Sequence, residues 1–289
     1  MKKGPAVFPA VIVIGSILAC NLASRLPTPA PTSELALTIT ALSHLLKTPS
    51  PAAWTATPVL RTDTPGPLPT APGEVRLVTG VSAAYLVEPP LIDGDLYEWS
   101  SAKFLVASPV FGIENWRGIE DLSGHAMFGW DEDYLYVAVH VVDDVFVQNA
   151  AQAHLYKGDS VEILMDTRLE WDFYDNTLNE DEYQLGISPG SPSPGLNVEA
   201  YQWLPLDREG PRKEVTIASL PYEGGYDMEV VIPWSVFGIY PQPWQHYGFA
   251  ISLSDNDKPN TSIQQSMVSN TPERRYAKPI TWGDFVLIK

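Results

Sequence analysis

Residues 74–289 predict an all-β fold, an antiparallel β-sandwich of jelly-roll type. Three observations predict it. Every clear apolar segment in this stretch alternates with period two. Turn residues separate the segments at spacings typical of packed sheets. No long run recurs every three to four residues, as an amphipathic helix would. Roughly 210 residues make one large sandwich and leave no space for a second catalytic domain.

The elements before the sandwich follow from composition. Lys2 and Lys3 open the chain with positive charge, and Ala6 to Ala19 is apolar apart from Pro9, Gly15 and Ser16. These are the charged and apolar regions of an export signal. The run is shorter than the ~20 residues of a comfortable membrane span. Cys20, the only cysteine, closes Ile17-Leu18-Ala19-Cys20, which resembles a bacterial lipobox. That resemblance implies a signal peptide over 1–19 and a diacylglycerol on the Cys20 sulfur. Anchoring then rests on about 0.8 kcal/mol per buried CH₂, with more than one acyl chain for firm attachment. The competing reading is an uncleaved signal anchor with an incidental cysteine. The lipoprotein reading is preferred because the sole thiol falls where processing requires it. Both readings place the downstream chain outside the cytoplasm, and the lipid would hold it at the cell surface. With no second cysteine, the exported domain has no intrachain disulfide to draw on.

Residues 21–73 hold ten prolines and ten threonines. Such a segment buries too little apolar surface to offset its ordering entropy and stays extended. With Cys20 it forms a tether over 20–73. Within it, Leu35, Ile39, Leu42 and Leu46 follow Ser33 near helical spacing, a short amphipathic helix if they pack at all. Of 18 basic and 35 acidic residues, five and two fall in 1–73, so 13 and 33 lie beyond, a net of −20. A domain so negative repels phosphate backbones, which argues against a nucleic-acid partner. It suits a neutral partner or a bound cation.

The sandwich elements come next in order. Asp93-Gly94 forms a turn. Ala126–Trp130 and Tyr134–Val142 form a hairpin across Asp131-Glu132-Asp133, with Leu135, Val137, Val139 and Val141 on one face. Val161, Ile163 and Met165 share a face, as do Met228, Val230 and Ile232, and Phe249, Ile251 and Leu253. Asp284–Ile288 is the last strand. Trp99, Trp130, Trp234 and Trp282 adjoin these strands and read as core or edge packing. Trp116, Trp171, Trp203 and Trp244 fall in loop-like stretches, where an exposed ring would be a better binding candidate.

Seven stretches in order resemble the family 9 carbohydrate-binding modules: LIDGDLYEWSSA, FGWDEDYLYVAVHVVDD, GDSVEILMD, DEYQLGIS, GGYDMEVVIPWSVFG, YGFAISLSDND and WGDFVLIK. Together they run from about Ser82 to Lys289. The resemblance implies a β-sandwich that holds a polysaccharide or oligosaccharide, with a terminal sugar clamped between two aromatic rings. Tyr156 and Tyr276 stand where the family usually has tryptophan. Glu162 matches its sugar-binding glutamate, and Gln184 the glutamine of the neighbouring strand. The pattern departs at Leu185-Gly186, where the family's binders carry an aromatic or apolar residue and then an arginine. One bidentate donor is therefore missing, and Arg274 or Arg275 is the candidate replacement. Flat rings cover the C–H faces of a pyranose while carboxylate and amide groups bond its hydroxyl edges.

The resemblance also implies structural calcium, which wants several carboxylate and carbonyl oxygens. Asp172, Asp175, Glu180, Asp181, Asp255 and Asp257 are candidate sources, with no ligand set assigned. Enzymatic activity is not expected. There is no Gly-x-Ser-x-Gly elbow, phosphate loop or His-Glu-x-x-His helix, and no carboxylate pair stands out for glycoside hydrolysis. Two other readings stay open. One is an envelope adhesion or assembly domain with a degenerate sugar site. The other is a haem b electron-transfer sandwich, as in related periplasmic dehydrogenase subunits, with His125, Met127, His140 and Met165 available as ligands.

Overall fold

The computed structural model describes residues 80–192 and 196–289. The signal, lipidation and tether expectations lie outside the described residues. Among the described residues, fourteen strands form one hydrogen-bonded system that folds over on itself. They are β1 (Val81–Tyr85), β2 (Phe104–Val106), β3 (Ser108–Phe111), β4 (Leu122–Trp130), β5 (Tyr134–Asp143), β6 (Ser160–Asp166) and β7 (Glu182–Ser188). There follow β8 (Glu199–Leu204), β9 (Gly210–Pro211), β10 (Thr216–Tyr222), β11 (Gly225–Pro233), β12 (His246–Asp255), β13 (Ser266–Ser269) and β14 (Gly283–Ile288).

One half runs β10-β11-β5-β4, with β2 beside β4; the other runs β14-β12-β6-β7-β8-β9, with β13 beside β12 and β3 beside β13. The pairing within each half is antiparallel, as expected. The exception is β1, which runs parallel to both β4 and β14 and so joins the halves. Alternation marks which face of a strand is buried but carries no sign of its direction, so this pairing was not legible in advance.

The two halves meet through aromatic packing. Phe128 of β4 contacts Phe249 of β12 at 5.4 Å and Phe285 of β14 at 5.5 Å between centroids, both edge-on. Around them lie the predicted inward sets of β5, β6, β11 and β12, all fully buried. The β4–β5 hairpin forms because Asp131 Oδ1 accepts from the backbone N–H groups of Asp133 and Tyr134 at 2.8 and 2.7 Å. The Asp93-Gly94 turn has a different anchor. Glu229, fully buried on β11, takes both backbone N–H groups at Oε2 and the Trp99 indole N–H at Oε1. Gly94 sits at φ +90°, and a Cβ there would lie 2.8 Å from Leu220 Cγ, so the turn demands glycine.

β6 and β7 position the site. All seven residues of each are buried, although only alternate ones face the interior core. Their outward residues, Glu162 and Gln184 among them, are covered by a 3₁₀ turn at Gln152–Lys157 and by the loops on either side of β13. A sheet face that carries polar residues and is nonetheless buried is where a site is to be sought.

Candidate functional site

A cleft of about 400 Å³ opens on the outward face of β6 and β7, lined by Phe111, Tyr156, Glu162, Gln184, Trp203, Gln264, Met267, Arg274 and Tyr276. The structure thus brings together all four ligand-binding residues expected from sequence, from four separate elements. Tyr156 rides on the 3₁₀ turn, whose Leu155 is fully buried and whose carbonyl accepts from Gln148 Nε2 at 3.1 Å. Tyr276 projects from the loop after β13 and is 44% exposed. That loop is pinned by Thr281 Oγ1, which accepts from the Arg275 backbone N–H at 2.9 Å, and by the buried Trp282, whose indole donates to the Arg275 carbonyl at 3.1 Å. Burial, and next the Glu162 charge, pushes the Tyr276 phenol above its ordinary pKa.

The cleft floor is a buried ion pair. Glu162 and Arg274 are 6% and 8% exposed. One Arg274 terminal nitrogen donates to Glu162 Oε1, while Gln184 Nε2 donates to Oε2 at 2.7 Å. Glu162 is therefore buried with both carboxylate oxygens engaged. Arg274, rather than the exposed Arg275, brings a guanidinium to the glutamate. Gly186 lies directly across the β6–β7 pairing from Glu162, and its vacant side-chain space is filled by Trp203.

Sequence reasoning put Trp203 in a loop. It lies on β8, half-buried, with its indole N–H donating to the Ala153 carbonyl at 3.0 Å. Its ring is 6.0 Å from that of Tyr156, with planes at 76°. Single polar and aromatic residues around a bulge between Gln184 and Leu185 hid the strand. Phe111, Gln264 and Met267 carried no signal as site residues. Among the other tryptophans, Trp130, Trp234 and Trp282 are buried as expected. Trp99 is half-buried on Glu229, and Trp171 and Trp244 are exposed away from the cleft lining.

The acidic residues divide differently from the sequence candidates. Asp175 and Glu180 are exposed, Asp181 is buried, and the Asp172 side chain lies outside the described residues. Asp255 and Asp257 instead meet Asp143 at one end of the sandwich, each offering an oxygen within 4.8 Å of the others. Asp143 Oδ2, Asp255 Oδ1 and Asp257 Oδ1 are buried and receive no N–H or O–H donor. Burial pushes Asp255 up to about 7 and Asp143 up to about 6. Beside them, burial and the neighbouring Asp143 hold Asp159 well above the carboxylate range. A second grouping, Asp121, Asp144 and Asp257, already has its cation: Arg117 reaches them at 2.6, 3.2 and 2.8 Å. Orphaned, buried, all-oxygen donors fit a hard divalent cation such as calcium at Asp143, Asp255 and Asp257, which would neutralise charge and tie β5 to β12.

Three of the four haem candidates share one hollow, and the fourth does not join them. Met165 is fully buried in the interior core, whereas His125, Met127 and His140 line an outer hollow of about 190 Å³. There His140 Nδ1 lies 2.6 Å from Asp227 Oδ1.

Fold and cleft together define an outward-facing binding sandwich. The sequence profile of the carbohydrate family 9 binding domain-like family matches residues 92–289, and the chain belongs to that family. Endo-1,4-beta-xylanase A of Thermotoga maritima is 27% identical over 203 residues, 69% of this chain but only 17% of that enzyme. The chain thus spans a small part of that relative's length. Among solved structures, it resembles a family 9 carbohydrate-binding module of Caldicellulosiruptor kristjanssonii in complexes with cellotriose and with glucose. For both, the TM-score is 0.53 and identity 17%, over 72% of this chain and 93% and 95% of theirs. These likenesses show the fold.

Proposed function

We propose that this protein binds carbohydrate without transforming it, as the exported domain of a surface-anchored lipoprotein. One observation carries the reading: Tyr156, Glu162, Gln184 and Tyr276, far apart in the chain, line a single cleft with aromatic walls and a hydrogen-bonding floor. The complexes of the Caldicellulosiruptor module with cellotriose and glucose favour a glucan-like or related ligand. If each tyrosine removes roughly 50 Å² of apolar surface, the pair contributes on the order of 2–3 kcal/mol. A few hydrogen bonds add ~1 kcal/mol each, so affinity is weaker than about micromolar and suits a surface displaying many copies.

The test is affinity electrophoresis of the full-length chain through gels containing glucan or xylan, with Tyr156→Ala and Tyr276→Ala beside it. Retardation that weakens in both variants supports the reading. Retardation unchanged in both sets it aside. Anchoring has its own check. Cys20→Ser should move the protein from the membrane fraction to the medium or soluble fraction, and a variant that stays with the membrane overturns the lipid tether.

A further inference from the structure

We propose that Trp203, seated over Gly186, makes the cleft select sugars with an acetyl-bearing ring edge over their unacetylated counterparts; this rests on the carbohydrate reading above. A Cβ built on Gly186 would lie 2.3 Å from Trp203 Cη2, 2.5 Å from its Cζ3 and 2.8 Å from Leu155 Cδ1. Real Cβ atoms do not approach so closely, so no side chain at position 186 can coexist with this indole. The position across from Glu162 therefore presents hydrocarbon to a ligand, where a polar side chain would otherwise reach it. Nor does Trp203 offer a donor of its own, because its one N–H is given to the Ala153 carbonyl. Tyr201 holds the ring from another side, at 5.7 Å.

Trp203 and Tyr156 are two walls of a corner, not parallel plates, since their planes meet at 76°. A pyranose lying along one ring turns an edge toward the other. A hydroxyl on that edge gives up its water and finds no partner, which is unfavourable. An acetyl methyl in the same place is removed from water with gain. The polar recognition lies at the floor, where Arg274 and Gln184 already occupy one oxygen each of Glu162. Phe111, Met267 and Gln264 complete the lining; one Gln264 amide N–H is given to Ser254 Oγ at 2.7 Å, and 400 Å³ leaves room for a substituent.

The test uses matched ligands. Titration calorimetry on the full-length chain in detergent compares chitotriose with cellotriose, which share their linkage and differ by an acetamido group at each C2. Acetylated and chemically deacetylated xylan form a second pair. The acetylated member should bind about five- to tenfold tighter. Trp203→Ala should erase that preference while Trp203→Phe, which keeps a ring, preserves most of it. Equal or tighter binding of the unacetylated members, or a preference that persists in Trp203→Ala, overturns the inference and leaves the carbohydrate reading standing. Absence of binding to all four glycans overturns both.

Discussion

Two regions of this sandwich bury carboxylates, and they do so under opposite terms. At the cleft floor, Glu162 has a guanidinium on one oxygen and an amide on the other. At the strand ends, Asp143, Asp255 and Asp257 converge with one oxygen of each unserved, Arg117 pairing only the outer oxygen of Asp257, and burial drives Asp143 and Asp255 to about 6 and 7. The first lies on β6 and β7 and the second at the ends of β5 and β12, within one domain carrying a large excess of acid. The difference separates a site completed by folding from one that folding leaves open to a proton or a cation. An internal ion pair fixes geometry; an unmatched cluster makes stability depend on what is in solution.

The largest effect should come from breaking the matched region. Arg274→Ala leaves Glu162 charged beneath the cleft with no counter-ion, and removing one partner of a buried pair costs about 3–5 kcal/mol. Urea denaturation should show that loss. Adding Glu162→Gln to the same chain should restore much of it, because the orphaned charge is then gone. A loss below about 1 kcal/mol, with no rescue by the second change, would mean that the floor is wetter than its burial indicates and would dissolve the contrast between the regions.

The unmatched region should reveal itself through pH. A carboxyl whose folded pKa lies above its unfolded value binds its proton more tightly when folded. The stability it lends is complete below about pH 4 and is lost as pH rises through the folded values near 6 and 7. Stripped of divalent cations, the protein should lose on the order of 3 kcal/mol between about pH 4 and about pH 7, after discounting for relaxation and coupling between the acids. Calcium should reverse the slope, because a cation needs the ionised carboxylates and gains affinity as protons leave. Melting temperatures measured from pH 4 to 8, with calcium and with chelator, decide the matter. Parallel curves in the two conditions would exclude a cation from this cluster. The Arg274→Ala chain keeps all three acids of the cluster, so the divergence between calcium and chelator should persist in that background.

What could be read from the chain divides along the same line. Period-two alternation exposed β5, β6, β11 and β12, because burial of one face writes itself into every second residue. The four cleft residues were legible only through resemblance, since Tyr156 and Tyr276 sit outside strands and no local pattern links them. Trp203 was misplaced because the bulge between Gln184 and Leu185 and its polar neighbours mask its strand. The parallel pairing of β1 left no trace, as alternation does not encode direction. Asp143 escaped notice as a candidate ligand because it ends a hydrophobic strand. Its proximity to Asp255 and Asp257 comes from bringing the end of β5 near the end of β12, a long-range outcome that no local window contains.

A third buried carboxylate sharpens the comparison. Among the described residues, Glu229 has no cation within its hydrogen-bonding reach, yet three N–H donors from Asp93, Gly94 and Trp99 serve its two oxygens at 2.7–2.9 Å. Burial still pushes its pKa upward, while those donors pull the other way. It therefore stands between the two regions: unserved in charge, served in hydrogen bonds. Glu229→Gln keeps the shape and the acceptor for the Asp93-Gly94 turn, but sets an amide N–H₂ against the Trp99 indole N–H. One buried donor then goes unmet, for a cost of about 1–2 kcal/mol, smaller than the loss of Arg274. The Trp99 fluorescence environment and the protection of the Gly94 amide against hydrogen exchange report on the same anchor, and both should fall. If Glu229→Gln proves as damaging as Arg274→Ala, the negative charge itself holds the turn. Donor count alone would then not explain how this fold tolerates buried acid.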